Sequence, residues 1–392
     1  MSDSSPLNHA ARIVAAVSSE LPADAALRRY LGKSRKLGPR ERRSVSAAVF
    51  AYFRWIRWLD PKASGQKQLE EALSIGERFN RDPRSIKPEA LAALAVPPWL
   101  ADEMKLSVEF LRQLQREPVL WLRARPGTAA RLAADLGNCA MTPLAPDALR
   151  YNGTTDLFLT PQFQAGAFEI QDLASQLVGH IAAPAPGQSW WDACAGEGGK
   201  TLHLADLLQN RGVVWASDRS VRRLEVLKRR AARARIFNYR TAHWGLEIDR
   251  IRPAPGRSAR PPFKTKFDGV LVDAPCSGVG TWRRNPHARW TSSHEDVREL
   301  SAIQAELLRT AAESVRPGGS LLYAVCTLTR SETTEVASSF SADHPQFEPL
   351  APVLSGTPLE RSAEFQGASV FFLPDALDAN GMFIAVWRRK KS

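Results

Sequence analysis

Along the chain the spacing of apolar residues changes twice, and each change marks a boundary. Over about residues 6–80, Ala10, Ile13, Val14, Val17 and Leu21 recur at helical spacing, and Val45, Val49, Phe53 and Ile56 repeat the pattern. Both stretches predict amphipathic helices, the second opened by Pro39 and Glu41. Pro83 and the Pro97-Pro98 pair mark a change of unit. Beyond them P-V-L-W-L-R-A-R-P-G, 118–127, predicts a strand, 128–137 a short helix and 141–150 a return strand, together a small α+β insert. From about Tyr151 short apolar runs alternate with helical patterns. The runs place strands at Ser189–Cys194, Val213–Ser217, Gly269–Ala274 and Ser320–Cys326, with helices at about 199–209, 220–233, 294–315 and 331–340. That alternation predicts a parallel, doubly wound α/β sheet. Val370–Leu373 and Met382–Trp387 add an antiparallel hairpin at one edge, and the proline-rich, basic stretch Pro253–Lys266 reads as an exposed loop. The expected domains are 1–85, 86–150 and 151–392.

Charge sharpens this picture. Lys and Arg number 53 against 41 Asp and Glu, a formal net charge of +12, which favours a polyanionic partner, RNA or DNA first. A soluble protein that happens to be basic is the plain alternative. The densest basic run, R-R-Y-L-G-K-S-R-K-L-G-P-R-E-R-R over 28–43, contains Arg40, Arg42 and Arg43 and reads either as a solvated face or as an RNA-contacting one. No stretch approaches the length of a membrane span, and the first residues lack the pattern of a secretion signal, so a cytoplasmic protein is expected. Cys139, Cys194, Cys276 and Cys326 are too far apart for C-x-x-C ligation; they read as free thiols in a reducing compartment, with no metal expected.

Two of those thiols end apolar runs: Cys276 in V-L-V-D-A-P-C-S-G and Cys326 in L-L-Y-A-V-C-T. Strands of an open α/β sheet deliver such residues to the edge where ligands bind. A third strand leads into D-A-C-A-G-E-G-G-K-T, a glycine turn from Gly196 to Gly199 with a helix beginning near Lys200. The turn resembles the end of a phosphate-binding P-loop, but that pattern needs glycine five residues before Gly199, where Cys194 stands. What remains fits a dinucleotide or S-adenosylmethionine site, with close backbone approach at Gly196 and Gly198. The next strand ends at Asp218, whose carboxylate either accepts from both ribose hydroxyls or caps the following helix.

Three blocks resemble the Sun family of RNA (cytosine-5) methyltransferases: D-A-C-A-G-E-G-G-K-T, then D-A-P-C-S-G-V-G-T-W-R-R-N-P, then A-V-C-T-L. F-Q-A-G-A-F-E-I-Q-D-L-A-S-Q, D-R-S-V-R-R-L and G-M-F-I-A-V-W-R extend the likeness over about 160–390. L-G-x-x-E-R-R, Leu37 to Arg43, is similar to the NusB-like domain of the branch that methylates small-subunit ribosomal RNA. The resemblance implies a Rossmann-like S-adenosylmethionine methyltransferase domain preceded by an all-α NusB-like domain and the α+β insert. It implies methylation of cytosine carbon-5, in 16S ribosomal RNA, through a covalent cysteine adduct, by a protein expected to be monomeric. By the family pattern Cys326 is the nucleophile and Cys276 assists product release, although on strand ends alone the roles are interchangeable. Asp273 is expected to accept from the exocyclic amine of the base, and Lys200 to stand between cofactor loop and base, or else on a helix surface. The expected cofactor contacts are Cys194, Ala195, Gly196, Glu197, Gly198, Gly199, Lys200, Asp218, Arg223 and Asp273. Arg283 and Arg284, with Arg40, Arg42 and Arg43, are the expected RNA contacts; His287 follows on the same loop as the first two.

The departures from the family pattern are few. Gly196 and Glu197 stand where many relatives have alanine-proline, Thr327 follows Cys326 where serine is common, and the acid ending the third cofactor strand is missing. Gly245 falls near that place, with Glu247 and Asp249 further on. A transfer-RNA enzyme, a DNA enzyme using the P-C cysteine alone, and a non-catalytic RNA-binding assembly factor are the competing readings.

Overall fold

The structure, a computed structural model, describes residues 5–18, 20–34, 37–245, 260–352, 354 and 357–391. Glu247 and Asp249, residues 253–259 of the Pro253–Lys266 loop, and Arg35 and Lys36 of the basic run lie outside them. The chain forms two compact units: Met1–Pro118 with Thr281–His294, and Val119–Gly280 with Glu295–Ser392. The first division thus falls at Pro118, where the sequence reading put it at 85, and the segment behind the D-A-P-C block folds with the N-terminal helices.

That helical unit contains Pro6–Ala15, Ala23–Lys33, Pro39–Trp55 and Gly65–Arg81, followed by the shorter Pro88–Leu94 and Val108–Gln115. Ala10, Ile13, Leu27, Val45, Val49, Phe53 and Leu69 supply its core, with Val14, Val17, Leu21 and Ile56 of the same pattern half-buried against it, although Val17 and Leu21 lie beyond the first helix. Glu41 accepts from the Gly38 backbone N–H at 2.8 Å, which closes the start of the third helix as Pro39 and Glu41 foretell.

The second unit holds both sheets. Its thirteen described strands are β1 Leu120–Ala124, β2 Cys139–Met141, β3 Ala148–Tyr151, β4 Phe168–Ile170, β5 Ser189–Asp192, β6 Val213–Asp218, β7 Tyr239–His243, β8 Phe267–Asp273, β9 Val315–Val325, β10 Phe347–Pro349, β11 Ala363–Gln366, β12 Ser369–Phe372 and β13 Met382–Arg389. A small antiparallel sheet runs β2-β3-β1-β4, with Leu122 opposite Ile170. Its fourth strand lies past residue 150, so cutting there would open the sheet, and the α+β insert belongs to the second unit. Two charge clusters tie it down. Arg123 donates to Asp206 at 2.6 Å, where Arg125 also pairs at 2.7 Å, and Glu169 accepts from Arg230 at 2.9 Å and from Arg233.

The large sheet runs β11-β12-β13-β9-β8-β5-β6-β7, with β10 on β13. Strands β5 to β9 are mutually parallel, and β13, β12 and β11 continue antiparallel from β9. The Val370–Met382 hairpin is therefore present, but β11 forms the edge. Because the chain steps from β5 to β6 on one side and to β8 on the other, connections diverge above β5 and leave a crevice at the carboxyl ends. No described helix is long and apolar enough to cross a membrane.

Asp206 is almost completely buried between two arginines, one of them equally buried. Removing it leaves the Arg123 guanidinium without its charge partner. Asp206→Ala should lower unfolding free energy by about 3–5 kcal/mol in urea titrations, far beyond a surface substitution.

Candidate active site

The carboxyl ends of β5, β6, β8 and β9 frame a pocket of about 360 Å³. Of the expected cofactor contacts it is lined by Cys194, Ala195, Gly196, Glu197, Gly199, Lys200, Asp218, Arg223 and Asp273, and both Cys276 and Cys326 open onto it. Gly198 does not line it. Trp244, Ile303 and Leu307, which no local pattern marked, do, as does Ser175 of the F-Q-A-G segment. Gly245 is there too, just past β7, where the absent third acid was expected.

The glycine turn divides its labour. Gly196 has φ of +55° and nothing within 4 Å of where a Cβ would stand, so its open face is available to a ligand. Gly198, at φ +89°, caps the Gly199–Leu207 helix, and a Cβ there would lie 2.6 Å from Leu227 Cγ. It is a packing glycine. The expectation of ligand approach at Gly198 is therefore corrected: the constraint on that position comes from the core.

Asp218, nearly buried, accepts from the Gly196 N–H at 2.9 Å through Oδ2 and from the Ser220 N–H at 2.8 Å through Oδ1. It pins the turn to the end of β6, while Ser220 provides the cap of helix Val221–Arg233. Beneath the turn Asp192 is fully buried and accepts from Thr201 Oγ1 at 2.6 Å. Its carboxyl is pushed up to about 7, first by burial, with the Thr201 bond and Lys200 opposing and the charges of Asp273 and Asp218 adding. Cys194 is raised well above the usual thiol range by burial and by the same three aspartates, Asp192, Asp273 and Asp218.

Asp273 ends β8 and accepts from Lys200 Nζ at 2.7 Å. Lys200 is thus a pocket residue rather than a helix-surface one. Burial pulls its ammonium down, but the charge and hydrogen bond of Asp273, with Cys326 and Asp192 behind them, leave it raised. Cys276 and Cys326 meet with their sulfurs 3.4 Å apart. The Cys276 thiol is raised well above its usual range, chiefly by the hydrogen bond to Cys326, then by burial and the charges of Cys326 and Glu332. A protonated thiol at Cys276 beside a second sulfur that shares its pocket with a lysine cation is an arrangement suited to a proton donor next to a nucleophile.

The expected RNA contacts separate. Arg40, Arg43 and Arg284 are exposed. Arg283 is buried and donates through Nε at 3.1 Å and through a terminal nitrogen at 2.5 Å to the Glu117 carbonyl. Arg42 donates to the carbonyls of Leu31, Ser34 and Leu37, satisfying the end of the Ala23–Lys33 helix. For these two the phosphate-contact expectation is replaced by a structural role. Around Arg283 the segment is cement for its unit: Arg289, fully buried, donates to Ala95 and Leu114 carbonyls at 2.9 Å each, Trp290 donates to Phe53 at 2.7 Å, and the His287 ring meets the edge of Phe53.

Gly198→Ala should cost about 2–4 kcal/mol of stability, backbone strain plus overpacking, whereas Gly196→Ala should cost only about 1 kcal/mol of strain; urea unfolding of both distinguishes them. Asp192 favours its protonated form in the fold, so it costs stability progressively as pH rises from the ordinary carboxyl range to about 7. Asp192→Asn should flatten the loss of unfolding free energy between about pH 4 and pH 7.

Residues 180–388 match the family of 16S rRNA methyltransferase RsmB/F. A protein of Bacillus subtilis called probable ribosomal RNA small subunit methyltransferase B is 35% identical over 229 residues, 58% of this chain and 49% of that one, so the chain spans about half the length of this relative. A Synechocystis protein of the same description is 30% identical over 323 residues, 81% of this chain and 68% of the relative. The crystal structure of PH0851 superimposes with a TM-score of 0.76 at 22% identity, over 98% of each chain, which shows a shared fold. With the family pattern covering more than half of the residues and the whole large sheet from β5 into β13, the chain belongs to the 16S rRNA methyltransferase RsmB/F family.

Proposed function

We propose that the protein is an S-adenosylmethionine-dependent cytosine-C5 methyltransferase acting on small-subunit ribosomal RNA. One observation carries this above the others: two thiols 3.4 Å apart, at the ends of neighbouring parallel strands, open onto the pocket that also contains the glycine turn and Asp218. The pocket suits the cofactor on its own terms. Gly196 offers bare backbone, and each Asp218 oxygen, having accepted one backbone N–H, keeps a lone pair for a ribose hydroxyl. When bound, the cofactor supplies an electrophilic methyl group.

Cytosine carbon-5 is a poor nucleophile, so a thiolate must first add to carbon-6 and make the ring enamine-like. Cys326 is suited to that addition because it opens onto the same pocket as the Lys200 ammonium, and a positive charge nearby favours a thiolate. Asp273 holds Lys200 in place with one oxygen and has its other oxygen for the exocyclic amine of the base. After methyl transfer the carbon-5 proton must leave before the carbon–sulfur bond breaks. A water molecule can take the carbon-5 proton, while Cys276, whose thiol keeps its proton at neutral pH, adjoins the departing sulfur and is suited to donate a hydrogen bond to the Cys326 thiolate as the carbon–sulfur bond breaks. The target base must be unstacked to enter, which favours a loop or a partly unfolded region of RNA.

Incubation with tritiated cofactor and small-subunit ribosomal RNA, transfer RNA, duplex DNA or no nucleic acid tests the reading. Label should accumulate as 5-methylcytosine in ribosomal RNA; label in DNA or in transfer RNA alone would replace the substrate, and no label in any arm would remove the enzyme. Cys326→Ala should abolish transfer and leave no covalent complex. Cys276→Ala should instead accumulate a protein–RNA species that survives denaturing electrophoresis, and the opposite pattern would exchange the two roles.

A further inference from the structure

One carboxylate at the base of the site has no part in that chemistry. Glu332, in the loop between β9 and helix Thr334–Asp343, is completely buried, and no ion pair to it is found among the described residues. A charge withdrawn from water in this way needs hydrogen bonds in its place. Glu332 has them on both oxygens. Oε1 accepts from the Ser277 backbone N–H at 2.8 Å and from Gln304 Nε2 at 2.9 Å. Oε2 accepts from Thr329 Oγ1 at 2.7 Å, from Thr327 Oγ1 at 3.1 Å and from Ser277 Oγ.

The partners have one thing in common. Ser277 follows Cys276 and Thr327 follows Cys326. Pro275, on the other side of Cys276, has its carbonyl held at 2.8 Å by the same Gln304 amide, and the Tyr323 hydroxyl fixes that amide through Oε1 at 2.9 Å. One carboxylate therefore ties together the backbone around both thiols, although the cysteines are 50 residues apart in the chain. We propose that Glu332 is the positioning residue that sets the separation of the Cys276 and Cys326 sulfurs. It touches neither substrate nor cofactor, and its relevance to catalysis rests on the methyltransferase reading above.

The geometry distinguishes two substitutions. In Glu332→Gln the amide oxygen can occupy the Oε1 place and keep the Ser277 and Gln304 bonds, while two of the three hydroxyls can rotate to accept from the new NH2 group. Glu332→Ala loses every bond. The thiol spacing is read without RNA by phenylarsine oxide, whose arsenic bonds two neighbouring sulfurs and releases water. Wild type and Glu332→Gln should form a one-to-one adduct that survives excess glutathione, and Glu332→Ala should lose it at least about tenfold more readily. With RNA, Glu332→Ala should lower kcat by about 100-fold, as expected for reacting groups displaced by an ångström, with cofactor Kd and RNA KM nearly unchanged, and Glu332→Gln should restore most of the rate.

A folded Glu332→Ala that retains both the glutathione-resistant adduct and kcat overturns the proposal, as does a Gln variant no better than Ala. If Glu332→Ala does not fold, Ser277→Ala combined with Thr327→Val removes the hydroxyl side of the clamp, and retention of the adduct there overturns it equally. Wild-type protein that captures arsenic but methylates no RNA would defeat the enzyme reading and leave the clamp standing.

Discussion

The parallel pairing of β8 with β9, in which Asp273 lies opposite Ala324, makes the loops after both strands leave from one edge of the sheet. Cys276 lies three residues beyond Asp273 and Cys326 two beyond Ala324, so nearly matched steps carry both sulfurs to the same place. An antiparallel pair would have sent them to opposite edges. On its other flank β9 is held by β13, with Phe383 opposite Val325, so neither neighbour leaves β9 room to splay. The Gly280 N–H then donates to the Cys326 carbonyl at 3.1 Å, and the Gly381 N–H to the Gly280 carbonyl at 2.8 Å, tying both loops to the start of β13. The pocket, the glycine turn and Lys200 are arranged around a thiol pair that the sheet itself has already brought together.

Charge is distributed against the overall balance. The chain is strongly basic, yet its site is built on Asp192, Asp218, Asp273 and Glu332. Each is stabilised differently: Asp218 by backbone N–H groups, Asp273 by an ammonium, Glu332 by hydroxyls and amides, and Asp192 by leaning towards its neutral form. Burial first, with nearby carboxylates adding, keeps Cys194 a thiol, and the hydrogen bond to Cys326 first, then burial, keeps Cys276 one, while the Lys200 ammonium shares the pocket with Cys326. Two cysteines on equivalent strand ends thus have different surroundings.

The basic residues carry a matching lesson. Positive charge along 28–43 and behind the D-A-P-C block resembles a phosphate-binding surface, and Arg40, Arg43 and Arg284 keep their side chains at the surface. Arg42, Arg283 and Arg289 instead satisfy backbone carbonyls, a use for which the forked guanidinium is well shaped. Composition counts these arginines equally, but the structure buries or occupies some of them and leaves Arg40, Arg43 and Arg284 exposed.

Local pattern was enough for much of this protein. The strands β5, β6, β8 and β9, the helices between them, the helix opened by Pro39 and Glu41, and the hairpin of β12 with β13 follow from period and from turn residues, whose effects act within a few positions. The motifs likewise brought Lys200, Asp218, Asp273, Cys276 and Cys326 to one pocket, because each sits at the end of a strand or the start of a helix. What the tertiary structure decided are choices between distant partners. Arg283 meets Glu117 across 166 residues, Glu332 meets Ser277 across 55, Gly198 is constrained by Leu227, and β4 completes a sheet begun at β1. Spacing along a chain records which face a residue presents, whereas the group that will satisfy it is set by where the rest of the chain returns.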